Sequence, residues 1–105
     1  MNRKLVFTAA AEAHYRELEG NPAKAGTFKQ VRKTLKLLEQ ETRHPGLNTH
    51  EYSLLQGANA ERVWEAYAQN QTPGAYRIFF HYGPDEITGE IRLPVLTILA
   101  ITPHP

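Results

Sequence analysis

The chain has 105 residues, 41% of them hydrophobic and 22% charged, which suits one globular domain with a single core. A net charge of +1 imposes no global field toward nucleic acid, so any basic surface has to come from local clustering. The absence of cysteine excludes disulfides and thiolate metal sites, and no apolar run reaches the length of a membrane-spanning helix.

The opening MNRKLVF runs straight into polar, helix-like sequence and has no secretory h-region, so the expected location is the cytoplasm. Leu5, Val6 and Phe7 make 3–7 a short first strand. Thr8 stands where an N-cap belongs, and Ala11, Tyr15 and Leu18 recur behind it at helical spacing until Gly20, Asn21 and Pro22 stop the helix. A second helix is expected over 23–42. Its apolar stripe is Phe28, Val31, Leu35 and Leu38. Lys29, Arg32, Lys33 and Lys36 form a second stripe that is wholly basic. That stripe reads either as a solvated face, or as a track for phosphates or an acidic partner.

After a break at His44, Pro45 and Gly46, a strand is expected over 47–56, with His50, Tyr52 and Leu54 on one parity. Gly57 to Asn59 make a turn, and 62–69 is a strand carrying Val63, Trp64 and Tyr67. A hairpin loop at 70–74 leads to the strand 75–82. The segment 84–94, bounded by prolines, reads as a mobile connection. The apolar run 95–102 has both parities hydrophobic and belongs inside a sheet rather than at its edge. The order of elements is strand, two helices, then four antiparallel-looking strands. That is an α+β fold in one domain, with both helices on one face of a small sheet and the other face left open.

The strand AYRIFFHY defines that open face. Tyr76, Ile78, Phe80 and Tyr82 suit the core, while Arg77, Phe79 and His81 take the other side. A permanent cation beside a titratable imidazole is what phosphate chemistry asks for. If 62–69 and 75–82 pair with Tyr67 opposite Arg77, then Glu65, Tyr67, Arg77 and His81 share one surface. A one-residue slip would bring up Trp64 and Ala66 instead, and these look more like core. His104 follows the last strand between two prolines, either returning to the sheet rim near Arg77 or fraying as a chain end. Five histidines, at 14, 44, 50, 81 and 104, show no metal-ligand spacing, and no phosphate-loop, dinucleotide or serine-hydrolase motif is present. No metal or small-molecule cofactor is expected.

The segments GAYRIFFHYG, LTILAITPHP and HPGLNTHEY, in this order of elements, resemble the RelE/ParE toxin superfamily of bacterial type II toxin–antitoxin pairs. The resemblance implies two helices on one face of a small antiparallel sheet. It also implies a cognate antitoxin as partner and, in the RelE-like branch, ribosome-dependent cleavage of mRNA without metal. By resemblance Arg77 matches the sheet arginine that would hold the phosphate, His104 matches a C-terminal acid or base, and Glu65 loosely matches a carboxylate on the neighbouring strand. His81 joins them as a candidate proton carrier from its position on the face. Tyr67 and His50 join as rings on which bases could stack, with Lys29, Arg32, Lys33 and Lys36 as further substrate contacts. The chain departs from ribosome-targeting members in its near-neutral charge and in lacking a lysine cluster before Trp64. A ParE-like gyrase inhibitor and a non-catalytic protein- or RNA-binding module on the same fold are the alternatives.

Overall fold

Thr8 turns the chain from strand to helix within one residue. Its hydroxyl accepts from the Ala11 amide at 3.1 Å and donates to the Leu99 carbonyl at 3.1 Å, so the cap of the first helix is also tied to the last strand. The computed structural model describes residues 2–69 and 74–104. Along them run β1 (Lys4–Phe7), α1 (Ala9–Glu19), a 3-10 turn at Pro22–Lys24, α2 (Ala25–Gln40), a second 3-10 turn at Pro45–Leu47, β2 (His50–Gln56), β3 (Arg62–Tyr67), β4 (Tyr76–Tyr82), β5 (Glu86–Thr88), β6 (Ile91–Leu93) and β7 (Val95–Pro103). Of the hairpin loop expected at 70–74, only Gly74 falls within the described residues. No described helix is long and apolar enough to cross a membrane.

The main sheet has the order β1-β7-β4-β3-β2. Strands β2, β3, β4 and β7 are antiparallel neighbours, as expected, but β1 joins β7 in parallel, so the sheet is mixed. A strand that must return through helices before meeting its partner can pair in parallel, and its own residues carry no sign of that choice. Helices α1 and α2 cover one face. Leu18, Val31, Leu35 and Leu38 meet Ile78, Phe80, Leu96, Ile98 and Ile101 there, all at most 6% exposed.

Strand β7 lies inside the sheet, and its two apolar parities have a specific cause. Phe79 pairs with Ala100 but Phe80 pairs with Ile98, so Leu99 is an extra residue. Leu96 and Ile98 face the core before this bulge and Ile101 after it, because the bulge switches the parity.

Two expectations are corrected. The segment 84–94 is not a mere connection: β5 and β6 pair as a hairpin, turned at Gly89 (φ +62), where a left-handed backbone favours glycine. Leu47 does not belong to a strand. It is 1% exposed in the 3-10 turn before β2, where it plugs the core.

Candidate functional site

Strands β3 and β4 pair with Tyr67 opposite Arg77 and Glu65 opposite Phe79, the expected register. Glu65, Tyr67 and Arg77 therefore stand on the sheet face turned away from the helices. That face is not open, contrary to expectation. Glu65 and Arg77 are each 2% exposed, and Phe79 and His81 each 4%. The cover comes from the sheet's own aromatic side chains: the Tyr67 ring lies 3.9 Å from the Arg77 guanidinium carbon, and Tyr52 of β2 meets Phe79 at 4.9 Å. A strand-by-strand reading assigns faces but cannot see a large side chain folding over its neighbour.

Around the Tyr67 ring is a cluster of four ionisable groups. The Glu65 carboxylate is its centre, with His50 Nε2 2.7 Å from Oε1. On Oε2 converge Arg77 Nε at 4.0 Å and His104 Nδ1 at 3.9 Å. Among the described residues, Glu65 Oε2 and Arg77 Nε are buried with no hydrogen-bond partner. An unpartnered buried polar atom costs about 1–3 kcal/mol, so a pair of them facing each other calls for an explanation.

His104 is not frayed. Its amide donates to the Ala75 carbonyl at 2.7 Å, and Arg77 Nη1 donates to the same carbonyl at 3.2 Å. One backbone oxygen thus ties the end of β7 to the guanidinium, while the His104 side chain remains 46% exposed. His50 is held from its other side, with Nδ1 2.9 Å from the Asn48 carbonyl oxygen, and its ring meets Tyr67 edge-on at 5.6 Å.

The remaining candidates lie elsewhere. His81 shares a face with Arg77 but is about 13 Å further along the strand, and Phe79 with Tyr52 stands between them. Its Nε2 is 3.8 Å from Glu61 Oε2, at the turn between β2 and β3. Glu61 lies in that turn, where strand periodicity gives no sign of a partner for His81. Its carboxyl sits below the ordinary carboxylate range because its own amide and that of Asn59 donate to it, with a smaller contribution from His81. Gly57 packs so tightly there that a Cβ would stand 2.9 Å from the His81 ring.

Lys29, Arg32, Lys33 and Lys36 are exposed on α2, on the opposite side of the sheet from Arg77. Arg32 and Lys36 edge a groove of about 550 Å³ floored by Leu5, Phe7, Tyr15 and Leu35. Lys33 lines a groove of about 930 Å³ together with Tyr67, Gln69 and His44. Among the described residues no three His, Cys, Asp or Glu side chains converge as a metal site would.

No family model matches this chain, and no curated protein matches it. Among solved structures it is similar to the YoeB dimer from Staphylococcus aureus, with a TM-score of 0.62 over 100% of both chains at 11% identity. At that identity the likeness is one of fold.

Proposed function

We propose that this protein is the toxin of a bacterial type II toxin–antitoxin pair and that it cuts ribosome-associated mRNA without a metal ion. The fold likeness to a YoeB toxin supports the class. The observation that carries the chemistry is the buried pair of unpartnered atoms, Glu65 Oε2 and Arg77 Nε, with the imidazole of His104 3.9 Å from the same oxygen.

Strand cleavage by an internal hydroxyl needs three things, and the cluster can supply each. Glu65 Oε2 takes the proton from the ribose 2′-OH as its oxygen bonds to the adjacent phosphorus. Arg77 stabilises the negative charge that builds on the phosphoryl oxygens. His104 donates a proton to the departing 5′ oxygen. The bond from phosphorus to that oxygen breaks, leaving a 2′,3′-cyclic phosphate and a 5′-hydroxyl. The resting contacts of 3.9–4.0 Å join Glu65 directly to Arg77 and His104, so these groups must part for a phosphate to sit among them. The phosphate reaches Arg77 once the Tyr67 ring, itself only half-buried, swings off it. A displaced Tyr67 can stack on a splayed base. The antitoxin is then the partner for the exposed basic stripe of α2.

The burial of Arg77, at 2% exposed, favours a second reading. If Tyr67 does not move, the cluster is structural and the domain works by binding alone, as a gyrase inhibitor or a protein- or RNA-binding module. Expression of wild type, Arg77→Ala and His104→Ala, with primer extension on cellular mRNA, separates the two. Wild type is expected to slow growth and to leave cuts that both variants lack. Growth arrest without cuts, unchanged in His104→Ala, would support the binding reading instead.

A further inference from the structure

We infer that His50 is the proton-holding partner of Glu65 rather than a ring for stacking bases, and that the backbone at Asn48 selects which of its nitrogens does this work. The inference deepens the cleavage reading by adding a residue to the same site, and only its kinetic test rests on that reading.

A backbone carbonyl can only accept, so the contact of 2.9 Å between His50 Nδ1 and the Asn48 oxygen requires a proton on Nδ1. A neutral ring would then present a lone pair at Nε2. Yet Nε2 stands 2.7 Å from Glu65 Oε1, the separation of a charge-assisted hydrogen bond. Two unprotonated atoms repel at that distance, so one of the pair carries a proton. With the permanent guanidinium of Arg77 4.0 Å from the other carboxylate oxygen, that proton is assigned to the imidazole. The other groups facing the pair are His104 on Oε2 and the edge of the Tyr67 ring.

This arrangement divides the labour of the carboxylate. Oε1 is committed to His50, which leaves Oε2, the atom without a partner, free to accept a proton. The Glu65 side chain is 3% exposed while that of His50 is 45% exposed, so the imidazole also stands between the buried carboxylate and water. Asn48 makes the geometry available. It holds a left-handed backbone (φ 50, ψ 43) at the end of the 3-10 turn, a conformation that asparagine tolerates better than most residues. Its carbonyl is thereby aimed at the ring two residues on. A hydrogen bond from the second ring nitrogen to a fixed acceptor is how proteins generally set a histidine's tautomer.

Two measurements test this. Ring ¹⁵N spectra of the protein without substrate should show both His50 nitrogens protonated in wild type. In Glu65→Gln, Nε2 should lose its proton and Nδ1 keep it. An unprotonated Nε2 in wild type, or a tautomer protonated at Nε2 alone, overturns the inference whether or not the protein cuts RNA. The kinetic test uses His50→Phe, which keeps a flat ring for stacking but loses both nitrogens, and His50→Gln, which keeps a donor without charge. His50→Phe should lower kcat about 100-fold with KM little changed, and His50→Gln should recover part of the loss. Full kcat in His50→Phe, with loss confined to KM in His50→Gln, would mean that the ring serves only as a surface.

Discussion

The two faces of the sheet are both buried, yet only one of them buries charge. On the helix side, Ile78 and Phe80 of β4 are fully covered by Leu38, Leu96 and Ile98, all apolar. On the other side, the same strand buries Arg77 and His81, and β3 adds Glu65. The first face gains from every contact it makes. The second excludes water from charges and leaves Glu65 Oε2 and Arg77 Nε without partners among the described residues. Buried ion pairs of this kind often cost as much in desolvation as they return in attraction. Stability alone therefore does not account for the second face, and the proposed cleavage gives its charges a role.

That contrast can be broken at several points. The largest effect should come from the apolar face. Leu38→Ala removes a side chain that is 0% exposed and should lower unfolding free energy by about 2–5 kcal/mol in chemical denaturation. A loss below 1 kcal/mol would mean that the helices do not close this core.

The polar face should respond with the opposite sign. The double variant Glu65→Leu with Arg77→Met replaces the pair by apolar groups and should be as stable as wild type, or more stable by about 1–4 kcal/mol, while losing activity. A double variant markedly less stable than wild type would mark the cluster as a structural keystone and weaken the catalytic account.

A smaller effect is expected at the junction between the faces. Thr8→Ala removes the N-cap of α1 and its tie to Leu99, and should cost about 1 kcal/mol in the same assay. The smallest belongs to Glu61. Its folded-state pKa is lowered, so its contribution is present in full above the ordinary value of 4.5 and is lost as pH falls through the lower folded value. Stability of Glu61→Gln should therefore fall less steeply than wild type across the acidic range. Parallel profiles would show that the carboxyl has no such role.

How much of this was legible in the residues alone differs between the faces. The apolar stripe of α2 and the alternation around Ile78 and Phe80 announce the helix-covered core directly, because periodicity reports which side a residue faces. The register that sets Tyr67 beside Arg77 was readable too, since a slip would have moved Trp64 and Ala66 out of the core. What sits on top of a face is not encoded in periodicity. The shielding of Arg77 by Tyr67 depends on a rotamer, and the approach of His50 to Glu65 depends on a left-handed residue two positions earlier. The β5–β6 hairpin is weakly marked, because Glu86 to Leu93 alternates around Gly89 while the prolines at 84 and 94 suit a plain connection equally well. The parallel pairing of β1 leaves no trace in its four residues.

Product ends report most directly on whether Arg77 and its neighbours act on a phosphodiester. Purified protein should be incubated with programmed ribosomes and with free RNA, and the ends of any product mapped for wild type and Arg77→Gln. Wild type is expected to leave a 2′,3′-cyclic phosphate and a 5′-hydroxyl at discrete sites, with Arg77→Gln slower by about 100- to 1000-fold. Equal cutting by both proteins, or none by wild type in either setting, would contradict the assignment of the polar face to chemistry.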